Sequence, residues 1–373
     1  MLVWTYSLFS MATHSTASRA DALAAVAHGF PLLGDISASG LLEGIGFELG
    51  HAGILDEFQP YGSHLAKAIP PETILHIVSG NTPHAALQSL MRGLLLGSRN
   101  LVKLPSEGLP EVDAFLAALP NELAALVETS ASLPETWLRE AGAVIVFGSD
   151  ETIAHFRSRV PAGIPFQAHG HRVSLGMVFD DPGLDSVEDA ARDVSLYDQQ
   201  GCLSPHDIYV RENGDGFART YAARLAEGLE RFNRHTPRRP LGMGGNAAIA
   251  DLRASYAFRS ASDVRTQIWQ SEGSTDWTVI YEEDPWFATS PLNRVVFVKP
   301  LPADFSCLEP ARPWLGAIGI WPATVENATR VASLGASRIC ALGRMQYPPA
   351  TWHAEGLPNL GTLVRWVDFE PAA

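Results

Sequence analysis

The sequence predicts an α/β protein of two domains built on parallel sheets, and three observations carry that expectation. The chain has 373 residues, more than one ordinary core of ~100–200 residues accommodates. From residue 73 onward, short apolar runs rich in β-branched residues alternate with stretches of helical periodicity, the pattern of strand and helix layers. Ala143-Val144-Ile145-Val146-Phe147 is apolar throughout, as a strand covered on both faces requires.

Residues 74–78 read as the first strand of this tract. Gly80-Asn81-Thr82-Pro83 leads from it into a helix over 84–96, whose leucines and Met91 supply an apolar face. A strand over 100–104 follows, with helices expected over 111–119, 121–129 and 134–141. Gly148-Ser149-Asp150-Glu151 closes the central apolar strand and opens a helix to 157, a turn whose outward N–H groups suit a phosphate. A second tract begins with a strand over 173–179 and continues through a helix at 187–197, a strand at 206–211 and a helix at 215–234. Strands resume at 277–281, 294–298, 317–321 and 338–342, the last two separated by a helix at 324–334. Proline and glycine clusters at 161–165, 237–245 and 284–291 mark loops, and the glycines of 44–50 read as a turn in a helical N-terminal region. The expected divisions are 1–72, 73–171, 172–350 and a C-terminal segment, 351–373.

Composition excludes several function classes. With 41 acidic against 27 basic residues, a net charge of −14, the chain lacks the general basic face that nucleic-acid phosphates require. No apolar run reaches the ~18–20 residues of a bilayer span. No Lys or Arg precedes Arg19 and no cleavage pattern is clear, so the N-terminus does not read as a secretory signal, and Met11 is an alternative start. Cys202, Cys307 and Cys340 lie far apart without a C-x-x-C pair, which argues against a zinc knuckle or a disulfide framework and fits a reducing cytoplasm. No metal site is expected.

No G-x-G-x-x-G follows a strand, and P-loop, H-E-x-x-H and G-x-S-x-G strings are missing. Chemistry concentrates instead in Asp198-Gln199-Gln200-Gly201-Cys202-Leu203-Ser204-Pro205, a single cysteine in a polar, glycine-hinged turn. A lone cysteine is most often a small buried hydrophobe. Here the boundary between helix and strand, near backbone N–H groups, points to an exposed nucleophilic thiolate.

Several strings occur together. Gly80-Asn81-Thr82-Pro83, Gly97-Ser98-Arg99-Asn100-Leu101-Val102-Lys103-Leu104-Pro105-Ser106, Val146-Phe147-Gly148-Ser149-Asp150-Glu151-Thr152, Gly170-His171-Arg172-Val173-Ser174 and Tyr197 through Pro205 closely resemble the LuxC-type acyl-CoA reductases. These form a branch of the aldehyde dehydrogenase superfamily. Ser290-Pro291-Leu292-Asn293-Arg294, Arg344-Met345-Gln346-Tyr347-Pro348-Pro349 and Leu363-Val364-Arg365-Trp366 extend the resemblance over roughly 73–370.

The resemblance implies an aldehyde-dehydrogenase-like fold. A Rossmann-like cofactor domain without the usual glycine fingerprint would span 73–171, and an α/β catalytic domain carrying the cysteine would span 172–350, with an N-terminal region shortened relative to the family. It implies NADPH-dependent reduction of a fatty acyl thioester to an aldehyde, with Cys202 as the acyl-accepting nucleophile. Asn81 matches the side-chain amide that forms the oxyanion hole with the cysteine's own N–H. Gly148 and Ser149 match the pyrophosphate turn, while Lys103 and Ser106 lie where the adenosine ribose is held. Glu107 beside that ribose accepts from a 2′-hydroxyl and repels a 2′-phosphate, so NADH stays open beside NADPH.

Where hydrolytic relatives carry a glutamate base, this chain has Gln167-Ala168-His169-Gly170-His171, which favours transfer to CoA over hydrolysis. His169 or His171 is then the candidate to take the thiol proton or to bond the leaving thiolate. The acyl group arrives on CoA, which departs as the leaving thiol, or on an acyl carrier protein. An acyl-transferring partner enzyme and a homo-oligomer are also implied. An acyl-binding or acyl-transferring protein, or an acylating dehydrogenase working in the oxidative direction, are the competing readings.

Overall fold

The computed structural model describes residues 15–34, 36–80, 83–212, 214, 216–349 and 351–371. The chain divides into two compact units, one of Met1–Gly170 with Pro349–Ala373 and the other of His171–Pro348. No helix among the described residues is long and apolar enough to cross a membrane.

The first unit opens with helices α1 (Thr16–Ala27) and α2 (Ala38–Leu49) and the hairpin β1 (Gln59–Tyr61) and β2 (His64–Ile69). The glycines of 44–50 do not form the expected turn. Gly44 and Gly46 lie inside α2, where Ile45 and Leu49 are buried one turn apart, and only Gly50, at φ 88°, ends the helix in the left-handed conformation that glycine adopts readily. The hairpin likewise replaces the helical structure expected ahead of residue 73.

A parallel sheet follows, built from β3 (Thr73–Ile77), β4 (Arg99–Lys103), β5 (Val127–Ser130), β6 (Ala143–Phe147) and β7 (Phe166–His169) in the order β5-β4-β3-β6-β7. The connections carry α3 (Pro83–Leu96), α4 (Pro110–Ala118), α5 (Asn121–Ala124), α6 (Glu135–Glu140) and α7 (Asp150–Arg157). The helix expected over 121–129 stops after one turn, because Val127-Glu128-Thr129 pairs in parallel with β4 and sheet pairing overrides the helical reading. Side chains alternate across both covered faces. Ile74, Val102 and Ile145 enter one core and Leu75, Leu101, Val144 and Val146 the other, each burial stabilising by roughly 1.5–3 kcal/mol.

His76 interrupts this apolar pattern without leaving a polar atom unmet. Its Nε2 donates to Asn100 Oδ1 at 3.0 Å and its Nδ1 accepts from Ser89 at 2.8 Å, while burial holds its pKa down at about 4. A Cβ on Gly93 would lie 1.8 Å from Asn100 Oδ1, so only glycine lets α3 approach this pair.

Counted from β3, the strand order is 3-2-1-4-5. The loops leaving β3 and β6 therefore open side by side at the carboxyl edge, at the point where the order of strands reverses, and such a point is where open α/β sheets bind nucleotides.

The second unit is a seven-stranded sheet in the order β10-β11-β12-β9-β8-β13-β14. Its strands are β8 (Val173–Val178), β9 (Pro205–Val210), β10 (Thr266–Gln270), β11 (Thr278–Glu282), β12 (Val295–Pro300), β13 (Leu315–Trp321) and β14 (Arg338–Ala341); only β10 runs antiparallel to its neighbour. Helices α8 (Val187–Ser195), α9 (Phe217–His235), α10 (Met243–Ser262) and α11 (Val325–Ala332) complete it. The Gly-rich stretch read as a loop to 245 gives way to α10 at Met243. Only Ile249 and Arg253 of that helix are buried, so it carries almost no apolar period to betray it, and Arg253 ties it to the sheet by donating to Thr278 Oγ1 at 2.9 Å and to the Trp277 carbonyl at 2.7 Å. The last strand, β15 (Arg365–Phe369), returns to the first unit and pairs antiparallel with β2.

Candidate functional site

The loop that carries Cys202 begins where α8 ends at Ser195, two residues earlier than expected. Tyr197, Asp198 and Gln199 take φ values of 54°, 53° and 63°. Left-handed conformations cost a non-glycine residue roughly 1–2 kcal/mol each, so three in succession need external support.

That support comes from a second left-handed run, Leu292, Asn293 and Arg294, at 63°, 59° and 64°. The Asp198 carboxylate accepts from Arg294 at 2.8 Å and from Arg239 Nε at 2.9 Å, and the Asp198 carbonyl accepts from the Asn293 N–H at 3.0 Å. Fully buried Gln199 donates to the carbonyls of Pro205 and Val295, both at 2.8 Å, and accepts from the Val295 N–H at 2.9 Å. Gln200 Nε2 reaches Asn293 Oδ1 at 2.8 Å. Two strings recognised separately in the sequence are thus one interlocked element. Its arginine is 1 % exposed and also donates to Asn233 and to the Thr236 carbonyl.

Cys202 is exposed and forms no disulfide. The helix before it presents its C-terminal end, and a strand follows, so the chain at this loop does not supply the favourable helix end that a boundary position suggested. Beyond the thiol, Ser204 Oγ accepts from Gln346 Nε2 at 2.9 Å. Gln346 belongs to a loop fastened by buried Asp193, whose carboxylate accepts from the N–H groups of Gly343 at 2.6 Å and Met345 at 3.1 Å. Burial raises the Asp193 pKa to about 7 despite these bonds.

His171 is exposed at the start of the second unit. His206, in the strand after Cys202, escaped the sequence reading. Its Nδ1 accepts from the Ser290 N–H at 3.0 Å, and burial, with the nearby charge of His171, lowers its pKa to about 4, so the neutral ring carries its proton on Nε2. The signal was a His-Asp pair inside an otherwise apolar strand. With Asp207 accepting from the Ala288 N–H at 3.1 Å and Tyr209 donating to the Pro285 carbonyl at 3.1 Å, it straps the 285–290 segment to β9.

The first unit carries the other expected residues. Lys103 ends β4, and Ser106 and Glu107 are exposed in the loop beyond it. Gly148 and Ser149 form the turn between β6 and α7, where Ser149 Oγ caps the helix by accepting from the Thr152 N–H at 3.3 Å. The same hydroxyl holds the Glu151 carboxyl below its ordinary range. A Cβ on Gly148 would lie 2.9 Å from Thr152 Cγ2, so only glycine lets the turn pack this closely against the start of α7. Strand order and the place of this turn at the carboxyl end of β6 both fit a dinucleotide. Asn81 lies outside the described residues.

His169 ends β7 in register with Phe147, stacked on its ring at 4.4 Å and 14°. Its carbonyl accepts from the Gly148 N–H at 3.2 Å. Nδ1 faces Glu355 Oε1 at 3.2 Å, which fixes the ring through a carboxylate the sequence reading passed over, and Nε2 is buried without a partner among the described residues. His169 and His171 belong to different units.

The family model described as acyl-CoA reductase (LuxC) matches residues 23–366, beginning well ahead of residue 73, from which the resemblance was read. Glycine-bearing helix and hairpin segments at 23–72 carry no distinctive string, which is why the resemblance was not legible there. A long-chain acyl-protein thioester reductase of Vibrio harveyi is 25% identical over 351 residues, covering 90% of this chain and 72% of its own. One from Aliivibrio fischeri is 23% identical over 352 residues, covering 90% and 71%. Among solved structures, aldehyde dehydrogenase 21 from Physcomitrella patens superposes with a TM-score of 0.69 at 12% identity, over 96% of this chain and 87% of that one. The NAD+ complex of an aldehyde dehydrogenase from Bacillus cereus gives 0.65 at 14%, over 95% and 84%. The fold is therefore aldehyde-dehydrogenase-like.

Proposed function

The chain belongs to the acyl-CoA reductase (LuxC) family, and we propose that it reduces a long-chain acyl thioester to the aldehyde through an acyl-Cys202 intermediate. The observation that carries this reading is an exposed thiol in a loop whose backbone is fixed on both sides by buried side chains.

In this mechanism the Cys202 thiolate adds to the thioester carbonyl. The oxyanion that forms is met by the Cys202 N–H and the Asn81 amide, donors worth about 3–4 kcal/mol each in such a position. Breaking the carbon–sulfur bond releases CoA or the carrier's thiol, which takes up the proton that Cys202 gave up, with His169 or His171 as the relay. A reduced nicotinamide dinucleotide, when bound, would supply the hydride that turns the acyl-Cys202 carbonyl into a thiohemiacetal alkoxide. Loss of the Cys202 thiolate from that centre yields the aldehyde and restores the enzyme. Gly148 and Ser149 would hold the dinucleotide's pyrophosphate, and Lys103, Ser106 and Glu107 its adenosine ribose. Lys103 favours NADPH and Glu107 favours NADH.

The names of the relatives favour a protein-borne acyl group, and the family description favours CoA. One experiment tests these choices together. Absorbance of reduced nicotinamide is followed with acyl-CoA or acyl carrier protein, NADPH or NADH, and wild type or Cys202→Ala. Consumption that requires the thiol and yields aldehyde is expected, with cofactor affinity unchanged in the variant. Acylation of Cys202 without consumption assigns acyl transfer instead.

A further inference from the structure

We propose that Ser174 is a positioning residue for the nucleophile, its hydroxyl fixing the peptide that joins Cys202 to Leu203 and thereby the direction in which the thiol is offered. The inference rests on reading Cys202 as the nucleophile.

β8 lies between β9 and β13, and both ladders slip at the level of Ser174. Against β9 the pairing steps from Ser174 with Pro205 to Leu175 with Asp207. Against β13 it steps from Val173 with Leu315 to Leu175 with Ile318. Each neighbour thus inserts an extra residue, and bulges of this kind leave ladder groups unpaired and re-aim the strand. Two bulges flanking one residue cannot be closed by the backbone of β8 alone.

The Ser174 side chain closes them. It is fully buried, donates to the Cys202 carbonyl at 2.7 Å and accepts from the Ala317 N–H at 3.0 Å. Since Ala317 N–H can only donate, the single hydroxyl proton is committed to Cys202. The Cys202–Leu203 peptide is planar and trans, so with its carbonyl drawn to Ser174 its N–H faces the opposite way.

Gly316 belongs to the same arrangement. A Cβ there would stand 3.4 Å from both the Cys202 oxygen and Ser174 Oγ and 3.2 Å from Arg172 Cβ, so the glycine lies directly against this bond. Gln199 holds the Pro205 carbonyl and Gln346 holds the Ser204 hydroxyl. Ser174 in turn holds the Cys202 backbone carbonyl.

The test compares wild type with Ser174→Ala and Ser174→Thr. Cys202 acylation is measured in single turnovers with acyl-CoA and acyl carrier protein, Cys202 alkylation with iodoacetamide, cofactor affinity by titration, and folding by the thermal midpoint. Ser174→Ala is expected to slow acylation by about 10- to 100-fold, as misplacement of a reacting group by ~1 Å does, with KM and cofactor affinity unchanged and Ser174→Thr recovering most of the rate. If Ser174→Ala does not fold, the near-isosteric pair Ser174→Thr and Ser174→Val, with and without the hydroxyl, repeats the contrast. Acylation and alkylation at wild-type rates in the hydroxyl-free variants would overturn the proposal. If wild-type Cys202 is alkylated but never acylated, the reductase reading fails alone, and the alkylation contrast between hydroxyl-bearing and hydroxyl-free variants still decides the role of Ser174.

Discussion

The two units place their reactive groups at opposite edges of their sheets and treat them oppositely. In the first, Lys103, Ser106, Glu107 and the Gly148-Ser149 turn lie at or beyond the carboxyl ends of parallel strands, where Ser106 and Glu107 are exposed to solvent. In the second, Cys202 precedes the amino end of β9, inside a loop whose neighbours are bonded on every side, from Asp198 with Arg294 to Ser204 with Gln346. Under the proposed function the difference follows from the two roles: a cofactor that binds and leaves needs an open approach, whereas a thiol that forms a bond needs a backbone that does not move while it does so. The strained triplet at 197–199 is tolerated because buried charge-assisted bonds offset it.

The comparison breaks most readily at the ion pair. Arg294→Met leaves the Asp198 carboxylate, 9 % exposed, with Arg239 alone, and removal of one partner from a buried pair costs about 3–5 kcal/mol. The thermal midpoint should fall, and hydrogen exchange should rise at 197–205 and 292–295 while strands 73–147 keep their protection. Equal loss of protection in the first unit would mean that the clasp is not local.

A smaller effect is expected on the other side. Gly148→Ala sets a methyl against Thr152 and should weaken reduced-cofactor binding about 10-fold, an overpacking cost of the usual 1–3 kcal/mol size, while Cys202 alkylation proceeds at the wild-type rate. Titration of the cofactor and alkylation kinetics on one preparation measure both. A change in alkylation would show that the two sites are not separable.

A third effect concerns pH. Asp193 is raised from 3.8 to about 7 by burial, so between those values the folded chain holds a proton that the unfolded chain releases. Stability from this group is therefore greatest at low pH and falls as pH rises through that window. Asp193→Asn should flatten the decline of the thermal midpoint between pH 4 and 7. Parallel curves for variant and wild type would sink this account of Asp193.

Much of the first unit was legible beforehand. Its apolar runs at 74–78, 100–104 and 143–147 are strands within a residue or so at either end, because a strand buried on both faces leaves a continuous apolar string. The run at 121–129 misled, since short segments of mixed propensity take the structure their neighbours impose, and the edge strand β7 was missed for the same reason. In the second unit α10 was invisible because its exposed face is mostly alanine and glycine. Cys202 stood out by its turn; the residues that hold it did not.

What the sequence determined by itself was the α/β class, the strings that mark the family and the thiol as the group to examine, because periodicity and local composition record how each short segment meets water. What only the tertiary structure decided was partnership. Gln199 meets Val295 across 96 positions, Ser174 meets Cys202 across 28, and Asp193 meets Gly343 across 150. Such pairs are set by how strands cross and shift register in the sheet, and no window along the chain contains both members.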